Sequence, residues 1–130
     1  MAGQTVGDVR LSEPWIDYRG MVDQTDIVPM INSCDVVTIP YRNTELMKMT
    51  NACKLMEYIA CGVPVVVSDV ADYASYFPAS FGCVSEPGDA DSLAEAIGRQ
   101  LDNRNIAKPE SVLTWRTVVS AIDRELRQLV

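Results

Sequence analysis

Hydrophobic positions in this chain alternate between helical spacing and short unbroken β-branched runs. The pattern is sharpest from Thr50 to Asp69, TNACKLMEYIACGVPVVVSD. Ala52, Leu55, Met56, Ile59 and Ala60 recur at helical intervals, which predicts a helix with one apolar, core-directed face. Gly62 stands where a left-handed residue ends a helix, and Pro64 forbids continuation. Val65, Val66 and Val67 then form a continuous run, which suits a parallel strand covered on both faces. The other helix face carries Thr50, Cys53, Lys54, Glu57 and Cys61. An acid among small polar groups on such a ridge is the strongest candidate for a site.

The rest of the chain repeats the alternation. Residues 1–15 read as a strand end and a loop, and IDYRG, Ile16 to Gly20, predicts a short strand. Ile27, Met30, Ile31 and Cys34 predict a helix capped by Asp23 or Thr25, short because Pro29 fits only a first turn. DVVTIP, Asp35 to Pro40, is a second buried-strand candidate, followed by a loop from Arg42 to Met49. Three aromatics, Tyr73, Tyr76 and Phe77, precede Pro78, which closes any helix there, and Phe81 to Ser85 predicts a shorter strand. Asp89 is the expected cap of a helix marked by Leu93, Ala94, Ala96, Ile97 and Leu101. Val112, Trp115, Val119, Ile122, Leu126 and Leu129 predict a last helix, about 110–129, packing one stripe on the rest with Trp115 as its anchor. Strands alternating with helices imply an α/β fold, a Rossmann-like parallel sheet with flanking helices. Ligands of such sheets bind outside the carboxyl ends of the strands, here near Gly20, Pro40–Tyr41, Ser68–Asp69 and Ser85–Pro87.

Composition narrows the chemistry. The 130 residues make one domain with room for a core, and 48% hydrophobic with 22% charged residues is ordinary globular usage. A net charge of -7 argues against nucleic acid and acidic membrane surfaces as partners. No apolar run reaches the roughly 20 residues of a membrane span, and no export signal is visible at the start. Cys34, Cys53, Cys61 and Cys83 contain no CxxC pair, and histidine is absent. No metal site is expected, and histidine acid–base chemistry is excluded within the chain. Reduced, mostly buried cysteines in a cytoplasmic protein are the expectation.

Taken in order, IDYRGMV, IVPMINSCDVVTIPY, NACKLMEYIACGVPVVVSD, FGCVSEPGDADSLAEAI and a final helix containing LTW resemble the C-terminal half of the GT-B glycosyltransferases. The resemblance is to the large retaining group 1, family 4-like branch and covers about residues 14–129. It implies transfer of a hexosyl group from a nucleotide-diphospho-sugar to a glycan or lipid-linked acceptor, in polysaccharide or cell-envelope synthesis. No cofactor or metal is implied beyond the donor itself. Glu57 would bind the ribose hydroxyls, since a carboxylate accepts two charge-assisted hydrogen bonds. The N–H groups opening the helix, at Thr50, Asn51, Ala52 and Cys53, would face the diphosphate. Lys54 stands beside them as a phosphate partner or a plain surface lysine. Tyr41, at a strand's carboxyl end, would stack on the base or contact phosphate, with a solvated loop as the plain alternative. Glu57 as a solvated acid paired with Lys54 is the plain alternative there.

Two departures bear on this. Many members carry a second acid near the reacting sugar, at the position filled here by Met49. The family's acceptor domain and the first strand of its donor domain have no counterpart. The chain thus reads as a partial donor-binding domain, 1–130, inactive by itself. Its acceptor site, and any association with the inner face of a membrane, would belong to the absent domain. DVVTIP would then be a hydrophobic edge open to self-association or to another chain. A non-catalytic nucleotide-binding or assembly module is the second reading, and a nucleotide-sugar epimerase the third.

Overall fold

The structure, a computed structural model, describes residues 11–50, 53–108 and 114–128. Helix α1 spans Gln24–Asn32, strand β1 Val37–Ile39, α2 Glu45–Lys48, α3 Cys53–Cys61 and β2 Val65–Ser68. Two 3-10 turns, Tyr73–Tyr76 and Ala79–Phe81, lead into β3, Val84–Ser85. Helices α4, Ala90–Asp102, and α5, Trp115–Arg127, complete the order. The three strands form one parallel sheet in the order β1-β2-β3, with Val37 opposite Val65, Ile39 opposite Val67, and Ser68 opposite Ser85. This is a Rossmann-like α/β arrangement.

Strand β2 is central, and all four of its residues are buried. Successive side chains point to opposite faces of a sheet, so both faces must be covered. Val65 and Val67 join the core that contains Leu55 and Ile59 of α3, with Ile31 of α1 behind them. Helix α4 packs on β2 and β3. Gly62, at φ +68°, closes α3 in the left-handed conformation that glycine adopts freely. The Asp89 carboxylate caps α4, accepting from the Asp91 and Ser92 N–H groups at 2.9 and 3.0 Å.

Several expectations are corrected. Residues 16–20 form no strand, because no described segment offers them a ladder partner. Arg19 and Asp17 instead pair with each other at 2.8 Å on the surface. Pro29 lies in the second turn of α1 and is accommodated there. The loop after β1 holds a helical turn, α2, capped by the Thr44 hydroxyl. Ala60 is exposed, and so are Ala94 and Leu101 of α4, whose buried side is Ala96 and Gln100. Gln100 is satisfied there, donating to the Phe81 carbonyl and accepting from the Asn105 N–H. Of the cysteines only Cys83 is fully buried, and Cys53 is exposed.

The largest correction concerns α5. No described residue of α5 is buried, and Trp115 is 84% exposed. Trp115, Val119, Ile122 and Leu126 of its apolar stripe are each more than half exposed, so Trp115 is not a buried anchor here. β1 likewise has a strand on one side only among the described residues.

Two outcomes follow from the core. Leu55→Ala removes a wholly buried side chain and is expected to cost about 2–5 kcal/mol in denaturant unfolding, whereas Trp115→Ala should cost less than about 0.5 kcal/mol. Burial pushes the Cys83 thiol from 9.0 up to about 11, because the thiolate is disfavoured in an apolar setting. The folded pKa lies above the unfolded one, so this contribution is intact below pH 9 and lost as pH rises toward 11. The denaturation midpoint should therefore fall across that window, and less steeply in Cys83→Ala.

Candidate functional site

Glu57 lies at mid-helix on α3 and is exposed. It and Lys54 line a hollow of about 240 Å³ whose other walls include Met21 and Val22 from the segment before α1, Ile27 of α1 and Tyr58. The α1–α3 packing that buries Ile31 therefore also sets the distance across this hollow. Its lining is mainly apolar, with one carboxylate and one ammonium at the α3 side. No ion pair joins Lys54 to Glu57, so the plain pairing of the two is not made. Burial, and secondarily the Glu57 charge beside it, raises the Tyr58 phenol above its ordinary value. Met21 and Val22 were no part of the sequence-derived site. Their signal was position, since they follow directly the carboxyl end of IDYRG.

Thr50 lies elsewhere. It lines a smaller hollow of about 140 Å³ with Lys48, Ala71, Asp72, Tyr73 and Tyr76. Its hydroxyl donates to the Leu46 carbonyl at 2.7 Å, and its own carbonyl accepts from the Tyr73 hydroxyl at 2.6 Å. The side chain is therefore spent on closing α2, and Tyr73 fixes the turn that delivers the chain to α3. Ala71 takes the left-handed conformation at φ +53°, a strained choice for a residue with a Cβ, to swing the chain from β2 into Tyr73. Tyr41 is half-buried. Its ring lies 6.0 Å from that of Tyr73 at 57°, so the two rings pack on each other beneath the turn. Asn51 and Ala52 lie outside the described residues. Cys53 is exposed and adjoins them. The structure thus puts Glu57 and Lys54 together on one hollow, sets Thr50 on another, and links Tyr41 to Thr50 only through Tyr73.

Among the described residues no group of Cys, Asp and Glu is arranged to hold a metal ion, and no helix is long and apolar enough to cross a membrane.

Comparison with protein families matches residues 4–103 to the glycosyl transferases group 1. The chain belongs to that family. A sucrose-phosphate synthase from Thermosynechococcus elongatus has the same fold, with a TM-score of 0.69 at 22% sequence identity. The match covers 88% of this chain but only 30% of that one. No curated protein matches the sequence. This group 1 glycosyl transferase chain therefore corresponds to a minor part of the larger structure it resembles.

Tyr73→Phe tests the turn before α3. Losing the hydroxyl removes its hydrogen bond to the Thr50 carbonyl and is expected to cost about 1 kcal/mol. Amide hydrogen exchange should speed up at Met49, Thr50 and Cys53 and remain unchanged in β2.

Proposed function

We propose that this chain is the donor-binding part of a glycosyltransferase acting on a nucleotide-diphospho-sugar. One observation carries the reading: Glu57 stands exposed, with no ion-pair partner among the described residues, and lines a hollow whose remaining walls are mostly apolar. An apolar slot with a single carboxylate suits a nucleoside. The base would lie against Met21, Val22 and Ile27, and Glu57 would accept the two ribose hydroxyls. The diphosphate would extend toward the opening of α3 at Thr50–Cys53, where the positive helix end favours an anion. Lys54 supplies a cation between the two. In transfer, charge builds on the leaving diphosphate, and these dipoles and cations would stabilise it without a metal. The acceptor, a glycan or lipid-linked sugar, would be held by a further domain, so the 130 residues alone would be inactive. The side of β1 that no described strand pairs favours a second reading, an assembly module whose sheet another chain completes.

Calorimetric titration with UDP, GDP and ADP tests the site. One of the three should bind, and Glu57→Ala should weaken it about ten-fold or more, the scale of a charge-assisted hydrogen bond. The variant should keep its stability, because Glu57 is exposed. Equal affinities in both proteins would remove Glu57 from the site.

A further inference from the structure

Helix α5 carries its large apolar side chains in a narrow line. Trp115, Val119, Ile122 and Leu126 are four, three and four residues apart, and the sequence repeats that alternation at Val112 and Leu129. At 3.6 residues per turn the four lie within about 60° of arc. A helix that covers a sheet or a core shows an apolar face of about 100° or more, whereas a line this narrow is the seam of two paired helices. All four side chains are more than half exposed. Among the described residues of α5 only Val118 and Ala121 are partly covered, and they lie about a quarter-turn away, so the line is not the side that the chain itself covers.

We infer that α5 pairs with α5 of a second copy of this chain, the two helices running antiparallel about a two-fold axis. The charges beside the line set partner and direction. Arg116 and Asp123 stand on one flank, both exposed. In the antiparallel register Trp115 meets Leu126 of the second copy and Val119 meets its Ile122. The same register sets Arg116 beside Asp123 of the second copy, and the two-fold axis makes that contact twice. In a parallel pair Asp123 would face Val118, and no opposite charges would meet.

Arg116 has no ion-pair partner among the described residues, so it is available to the second copy. Arg127 donates to Oδ2 of Asp123 at 2.8 Å, which orients the carboxylate and leaves Oδ1 for the incoming guanidinium. The seam is short, since a 13-residue helix runs about 20 Å. Four side chains from each copy make an interface of the small, transient class, with a dissociation constant on the order of 10–100 µM. The surface shares no residue with the Glu57 hollow or with β1, so it stands apart from the nucleotide reading and from sheet completion.

Sedimentation equilibrium of the whole chain, from about 5 to 500 µM to bracket a transient interface, tests this. A monomer–dimer equilibrium is expected. Ile122→Glu should weaken it at least about 100-fold, because the substitution falls twice in the seam, while the diluted variant melts as the wild type does. Arg116→Asp and Asp123→Arg should each weaken their own dimer about five-fold or more, by placing like charges opposite each other. An equimolar mixture of those two variants should pair at least as tightly as the wild type, since one chain then brings two acids and the other two arginines. A chain that stays monomeric throughout would overturn the inference and leave the seam to a different polypeptide. A dimer indifferent to Ile122→Glu would also overturn it, pointing to another surface such as the side of β1. So would a mixture no tighter than either variant alone, which would rule out the antiparallel register.

Discussion

The structure depends on burying one strand from both sides. Val65, Val66, Val67 and Ser68 are each at most 2% exposed, and a strand with no wet face cannot be left to a single covering layer. Once β2 is central, its parallel neighbours are reached only by chains that cross the sheet and return. Those crossings are α2 with α3 on one side of the sequence and the 3-10 turns on the other. Parallel pairing then puts the three carboxyl ends together, so the chain's turns and loops collect at that edge, where backbone and side chains remain available to a ligand.

The helix that covers β2 carries two kinds of information on opposite faces. Leu55 and Ile59 are fully buried and hold α3 to the sheet. Glu57 and Lys54 are thereby fixed in orientation without being buried themselves. This division lets a carboxylate be positioned at no desolvation cost. The turn before α3 is secured separately, by the Tyr41–Tyr73 ring contact and the Tyr73–Thr50 hydrogen bond. Polar groups that do enter the interior are matched, as Gln100 is by the Phe81 carbonyl and the Asn105 N–H.

Two surfaces stay unmatched among the described residues, the outer side of β1 and the apolar stripe of α5. Both belong to elements whose sequence pattern calls for burial. The match to the larger structure covers 88% of this chain and 30% of that one. Residues 16–20 form no strand, since a strand exists only by pairing and no described segment pairs with them.

Local sequence determined the elements whose signals are contained within a few residues. The valine run, the Gly62 stop and the Asp89 cap are each set by backbone sterics or by a hydrogen bond spanning three positions or fewer. The exposed acid on α3 was legible for the same reason, because helical spacing alone puts Glu57 opposite Leu55 and Ile59. Tertiary structure decided which apolar stripe is covered and which hollow a candidate residue lines. It separated Thr50 from Glu57, turned Tyr41 onto Tyr73, left Trp115 in solvent and brought Arg42, Ser68 and Glu86 to one crevice. Periodicity records a side that wants burial, but the partner that buries it comes from distant parts of the chain, and no local pattern names it.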